Sequence, residues 1–280
     1  MLLRTDYTSH IGEQHRKTGK PNQDYVQSGT LSDNAVYAIV SDGCSSGGLT
    51  DIGSRLIVLA TKRAIEEVER GADWLQSCNT VTEVNRLRDR YLELYRESLK
   101  LEHRDLLATC LWALCDKGSV LVHVTGDGVI GVQYKNNLTM HHFAWNQNTP
   151  YYPAYRQGGL DEQFMNAHAS SALPLTYTND DTVSPLSVLE GMEGQIIRLD
   201  HSDENTGNEP LSVALFSDGV EHVDGFSYKE VVAELMSFKS TSGQFAVRRM
   251  NRFLKEATDT GKGPMDDISY AVIHLDQIET

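Results

Sequence analysis

Three apolar, strand-like runs in this 280-residue chain end in the same dipeptide: "VSDG" at Val40–Gly43, "TGDG" at Thr125–Gly128 and "FSDG" at Phe216–Gly219. A strand that runs into Asp-Gly holds a carboxylate at its end, because the glycine lets the backbone turn tightly just after it. One such ending is an ordinary hairpin corner. Three on the same side of a sheet sandwich would bring Asp42, Asp127 and Asp218 to one rim. Two more candidates sit beside turn signals: Asp24 in "GKPNQDY", before the strand-like "YVQSG", and the Asp266-Asp267 pair in "GKGPMDDIS", before the last strand. Clustered carboxylates repel and desolvate one another unless cations neutralise them. Oxygen ligands with no His or Cys favour magnesium, manganese or calcium over zinc. A helix-loop-helix calcium site is not indicated, since "DHSDENTGNE" at Asp200–Glu209 has the acids but misplaces the glycine.

Hydrophobic spacing supplies the elements that must hold these acids. Ile52, Leu56 and Leu59 recur near helical spacing within Thr50–Arg70, and Val84, Leu87, Tyr91 and Leu94 repeat the pattern, which predicts two amphipathic helices after the first Asp-Gly. From Leu106 to His142 short apolar runs separated by turn signals predict an antiparallel meander. Later strands are expected at Gln195–Asp200, Leu211–Gly219 and Ile268–Asp276, with helices at Tyr228–Phe238 and Phe245–Ala257 between the last two. Strand blocks with helix pairs outside them argue for a layered α+β fold with antiparallel sheets. The expected organisation is one domain over 1–280, with an irregular flap or insertion at about 144–190, where Asn, Tyr, Pro and Gly dominate.

Composition narrows the function. With 25 Lys plus Arg against 39 Asp plus Glu, the net charge of -14 repels phosphate backbones and anionic membranes over most of the surface, so neither nucleic acid nor membrane is an expected partner. A local cluster can still bind phosphate, and His15-Arg-Lys-Thr-Gly-Lys20 is the most basic short stretch near the N-terminus. The four cysteines, Cys44, Cys78, Cys110 and Cys115, form no Cys-x-x-Cys pair, which suggests neither a zinc site nor a disulfide framework. No signal-peptide run and no stretch of 18 apolar residues occurs, and the expectation is a cytoplasmic protein.

The ordered set "GKPNQDY", "VSDGCSSGG", "LLATCLWAL", "VTGDGVIGV", "LFSDGVEHV" and "GPMDDISYAVI" resembles the metal-dependent serine/threonine protein phosphatases of type 2C, most closely their bacterial and phage-like branch. The matching motifs run from about Gly12 to Leu275. The resemblance implies an α-β-β-α four-layer sandwich, two antiparallel sheets flanked by helices, with a two-metal centre of Mn2+ or Mg2+ at one end and a third, weaker ion beside it. It implies that Asp42 bridges the two metals, that the Gly43 carbonyl binds one of them, and that Asp218 and Asp266 complete the first metal's shell. Asp24 would support through water, and Asp127 matches the acid that helps hold the third ion. Asp267 stands where the family has Asn. The implied chemistry is in-line attack on phosphorus by a hydroxide that two metals roughly 3.5–4 Å apart make available near neutral pH, with the metals also neutralising the phosphoryl oxygens.

Three positions depart from the family's pattern. Its phosphate-binding Arg is Gly19 here, which leaves His15, Lys17 and Lys20 as candidate phosphate contacts. The histidine of "DGHGG" is Cys44, a poor replacement for an imidazole acid, and His222, four residues after Asp218, is a candidate ligand or acid. The acid before Asp24 is replaced by Gln23, which removes one charge from the metal surround. The expected activity is hydrolysis of phosphoserine or phosphothreonine in a phosphorylated protein substrate. The alternatives are a pseudophosphatase that binds a phosphorylated partner without turnover and, more distantly, a hydrolase of small phosphate esters. The oligomeric state is not legible.

Overall fold

In the computed structural model the described residues are 2–32, 35–70, 75, 79–168, 174–199 and 209–276. The chain opens with β1 (Leu2–His10), α1 (Glu13–Thr18), β2 (Tyr25–Ser32) and β3 (Ala35–Ser41), followed by the long helices α2 (Thr50–Val68) and α3 (Thr80–Leu99). Four strands come next, β4 (Cys110–Asp116), β5 (Ser119–Thr125), β6 (Gly128–Gln133) and β7 (Leu138–Trp145), then α4 (Leu160–Ala167), β8 (Leu175–Asn179), β9 (Thr182–Leu186), α5 (Val188–Glu193) and β10 (Gln195–Leu199). The last elements are β11 (Ser212–Phe216), α6 (Tyr228–Met236), α7 (Phe245–Asp259) and β12 (Ile268–Asp276).

The strands form two antiparallel sheets, of order β1-β12-β11-β6-β7-β8-β9 and β10-β5-β4-β3-β2. Alternation along the central strands builds four layers. In β3, Ala38 and Val40 face the other sheet and join Leu111, Val122, Ile130, Leu215 and Ile273 in the core between the sheets. Tyr37 and Ile39 point the opposite way and pack with Trp112 under Ile57, Val58 and Ile65 of α2 and Val84 and Leu92 of α3. On the outer face of the other sheet Val129, Phe216 and Tyr270 meet Val231 and Leu235 of α6 and Met250 and Phe253 of α7. Every residue of β3 is buried because both of its faces are covered, which is why the strand reads as a continuous apolar run. Emptying one of these positions, for example by Ile57→Ala, costs about 2–5 kcal/mol.

Two expectations need correction. The run from Leu106 to His142 is not one meander: β4 and β5 pair in the five-stranded sheet, β6 and β7 in the seven-stranded one. Thr125–Gly128 is therefore the crossing from sheet to sheet, made with Gly126 at φ 103° and Gly128 at φ 136°, conformations closed to most side chains. The segment 144–190, expected as irregular, carries two 3-10 turns (Asn146–Asn148 and Pro153–Arg156), α4 and the β8–β9 hairpin, which widens the seven-stranded sheet by pairing with β7. Its strands are short and half-exposed, so they carry no strong alternation to read. Most of the acidic loop Asp200–Glu209 lies outside the described residues, as does Cys78. Cys44, Cys110 and Cys115 are free thiols. No helix among the described residues is long and apolar enough to cross a membrane.

Candidate metal centre and its surround

Asp42 leaves the end of β3 and is fixed through its backbone by Thr109: the Asp42 N–H donates to Thr109 Oγ1 at 3.0 Å, and the Thr109 N–H donates to the Asp42 carbonyl at 2.8 Å. The Ser41 hydroxyl adds a bond to the Thr109 carbonyl at 2.6 Å, and Gly43 bridges to Ala108. Asp218 follows β11 in the 3-10 turn Asp218–Glu221. Its neighbour Ser217 ties three segments together. The Ser217 N–H donates to the Ser269 carbonyl at 3.0 Å, its hydroxyl donates to Asp24 Oδ2 at 2.8 Å, and the Ser269 N–H donates to that hydroxyl at 3.0 Å. Asp24 is thereby carried from the head of β2 to the end of β11.

These acids share one electrostatic neighbourhood. Burial pushes the Asp42 carboxyl well above its ordinary range, and the charges of Asp218, Asp24 and Asp127 push the same way. Burial, then Asp218 and Glu221, raise Asp127. Burial lifts Asp24 to about 8 against the hydrogen bonds that favour its charged form. Asp218 reaches about 6, lifted by burial, held down by His222 and raised again by Asp266 and Glu221. Four carboxyls from both sheets therefore cannot all be charged together without a counter-charge. Asp24 Oδ1 is buried and receives no hydrogen bond. A buried oxygen of that kind needs a proton or a cation, and an all-oxygen donor set suits a hard divalent ion. The residues present fit such an ion.

At the Asp266-Asp267 pair the two acids differ sharply. Asp267 is 2% exposed and accepts hydrogen bonds from the Gly12 N–H (2.7 Å), the Gln23 N–H (2.6 Å) and His15 Nδ1 (2.8 Å). Asp266 is half-exposed and accepts the Asp267 N–H at 2.8 Å. Among the expected phosphate contacts, His15 is instead buried against Asp267, and Lys17 pairs with Glu13 on the exposed face of α1. Lys20 alone reaches the turn after Asp42, donating to the Ser45 carbonyl at 3.3 Å. His222 is exposed, and its charge lowers the Asp218 carboxyl.

The structure also brings in groups that no motif indicated. Tyr152, 7% exposed, stands near Cys44, Asp127 and Asp42, and burial with these neighbours holds its phenol protonated far above the ordinary range. The Tyr-rich stretch around it packs back on its own domain: Trp145 Nε1 donates to the Gly126 carbonyl at 3.1 Å, and the Tyr151 hydroxyl bonds Asp161. Nothing in the local sequence links Tyr152 to Cys44. Glu221 was more accessible to reasoning, since it lies three residues after Asp218 on the same turn. It accepts from His142 Nε2 at 2.9 Å and raises both Asp127 and Asp218.

A family model described as Protein phosphatase 2C matches residues 11–257. Among solved structures, the chain is similar to serine/threonine phosphatase Stp1 from Staphylococcus aureus, at 14% identity and TM-score 0.56, over 99% of this chain and 96% of that one. It is similar to the catalytic domain of serine threonine protein phosphatase PstP in complex with 2 manganese ions, at 15% identity and TM-score 0.58, over 99% of each chain. It also matches the Mycobacterium tuberculosis serine/threonine phosphatase PstP/Ppp at 17% identity and TM-score 0.55, over 99% of this chain and all of that one. At these identities the structures speak for the fold. No curated protein matches the chain.

Proposed function

The chain belongs to the protein phosphatase 2C family, and from that premise we propose that it is a divalent-metal-dependent phosphatase of phosphoserine and phosphothreonine in proteins, working as one domain. The observation that carries the metal dependence is the crowd of acids around Asp42, whose carboxyl is raised by burial and by the charges of Asp218, Asp24 and Asp127, drawn from both sheets. The manganese in the similar PstP domain supports manganese or magnesium as the ion.

Asp42, the Gly43 carbonyl, Asp218 and Asp266 would hold two ions, Asp24 would support them through water, and Asp127 would take part in a third, weaker site. When bound, such ions lower the pKa of a nearby water and neutralise phosphoryl oxygens. The chain's own groups do the rest. Thr109 fixes the direction in which Asp42 leaves its strand, and Ser217 keeps Asp24 at the end of β11. Lys20, beside the turn after Asp42, is placed to attract the substrate phosphate, a role in which an ammonium acts as a point charge. Tyr152 presents a phenol that stays protonated, a hydrogen-bond donor beside Cys44 where the family has histidine.

The pseudophosphatase alternative draws no support from these residues. A chain released from catalysis has no physical reason to keep four repelling acids gathered at one rim. Hydrolysis of a phosphothreonine peptide, measured with manganese, with EDTA, and for Asp42→Asn in manganese, tests the reading. Turnover that needs both the metal and Asp42 is expected. Turnover unaffected by EDTA would refute metal dependence, and peptide binding without any turnover would refute the enzyme.

A further inference from the structure

Asp267 binds three separate residues near the N-terminus, yet it is not among the expected ligands. Its Oδ1 accepts the Gly12 N–H at 2.7 Å; its Oδ2 accepts the Gln23 N–H at 2.6 Å and faces His15 Nδ1 at 2.8 Å. One carboxylate therefore holds the residue before α1, the buried residue within it and the residue preceding Asp24. The same segment is pressed on the loop before β12 in two other ways. The Glu13 and Gln14 N–H groups donate to the carbonyls of Pro264 and Met265 at 3.0 and 3.1 Å. A side chain at Gly12 would put its Cβ 2.2 Å from the Asp266 carbonyl carbon.

We propose that Asp267, with His15 as its partner, is a positioning residue that fixes Asp24 relative to Asp266 and so sets the affinity of the rim for its metal. The inference rests on the metal-dependent reading above.

Donor chemistry explains why an acid occupies this position. All three partners are N–H donors, because a carboxylate only accepts and His15 must therefore carry its proton on Nδ1. An amide accepts at one edge and donates at the other, so asparagine would turn an N–H toward either the Gly12 or the Gln23 N–H and leave one of these buried donors without an acceptor. His15, 6% exposed, supplies the third bond and lies 4.0 Å from Asp266 Oδ1. The Asp267 N–H in turn donates to Asp266 Oδ1 at 2.8 Å, which fixes the rotamer of that acid. Groups that orient metal ligands in this way change metal affinity by about 10–100-fold when removed.

The test titrates Mn2+ into the metal-free full chain by calorimetry, comparing wild type with Asp267→Asn, His15→Ala and His15→Asn, each first shown to be folded in EDTA by circular dichroism. Asparagine at position 15 can place an N–H near the site of Nδ1, so it serves as the conservative variant. The expected result is manganese binding at least about tenfold weaker for Asp267→Asn and His15→Ala, with His15→Asn restored to within about threefold of wild type. Wild-type affinity in folded Asp267→Asn and His15→Ala would overturn the proposal and leave the pair as a latch that only holds the fold. If Asp267→Asn does not fold, the two His15 variants decide, and equal affinity in both overturns it. A wild type that binds no manganese would overturn the metal reading, and this inference with it.

Discussion

Asp24→Asn exchanges a buried acid for a neutral group of nearly the same shape, and the crowding of carboxyls predicts that it stabilises the metal-free protein at alkaline pH. Burial holds the Asp24 carboxyl at about 8, against an ordinary 3.8. Between these values the folded chain keeps a proton that the unfolded chain has released. The contribution is therefore complete below the unfolded value and is lost as pH rises toward the folded one. One extra proton on the folded state gives a slope of about -1.4 kcal/mol per pH unit, and from pH 6 to pH 8 the loss is roughly 2 kcal/mol once partial release near the upper end is allowed for. For a chain of this size that is about 5 °C in unfolding midpoint. His123 works in the opposite sense, since burial keeps it neutral down to about 3 and it adds stability as the unfolded imidazole loses its proton. The reading is accordingly the difference between wild type and Asp24→Asn, followed by thermal unfolding in EDTA at pH 6, 7 and 8. Wild type falls relative to the variant across this range, and manganese reverses the order by replacing the proton. Midpoints of the two proteins that run parallel from pH 6 to pH 8 in EDTA would refute the reasoning.

Asp42→Asn lowers hydrolysis of a phosphothreonine peptide by at least about a thousandfold in saturating manganese, the scale of a lost group that acts on the reacting centre, while circular dichroism shows the fold unchanged. Tyr152→Phe keeps the ring against Tyr155, 5.5 Å between centroids, and removes only the hydroxyl beside Cys44. Its turnover in the same assay drops about tenfold, the worth of one hydrogen bond, with unfolding little changed. Arg88→Met removes the fully buried guanidinium that holds Asp89 and Asn85 at 2.8 and 3.0 Å and leaves Asp89 only Arg156, at 3.5 Å. Urea unfolding then registers a loss of about 3–5 kcal/mol, while turnover per folded molecule stays at the wild-type level.

Much of this was legible in residue types alone. α2 and α3 announced themselves because Ile52 and Leu56, and then Val84, Leu87 and Tyr91, recur at helical spacing, and β3 because Ala35–Val40 is an unbroken apolar run. The three Asp-Gly endings led to Asp42, Asp127 and Asp218 because strand ends are where a sheet sandwich can gather acids. What failed is equally physical. "TGDG" looks the same whether the chain turns back in its own sheet or crosses to the other, since glycine serves both. β1 passed unnoticed because "LLRTDYTSH" is mostly half-exposed and carries no apolar run. Tyr152 and the partners of Asp267 depend on packing between segments far apart in the chain, which no local pattern encodes. His15 looked like a phosphate contact because it sits among lysines, and only the folded chain shows it turned inward.

The placement of the acids has a mechanical side. Asp42 hangs from the five-stranded sheet, Asp218 and Asp266 from the seven-stranded one, and among the described residues no strand pairing joins the two. Between them lie apolar side chains such as Val40, Leu111, Ile130 and Leu215, a filling that resists compression but offers little directional resistance to sliding. Two plates stacked in this way keep their alignment only where something ties them, and the crossing at Thr125–Gly128 is one tie. The Ser217–Asp24 hydrogen bond is another, and a cation gripped from both plates at the same edge would be a further one, so loading it would stiffen the sandwich against shear. Its imprint would be slowed hydrogen exchange along that crossing.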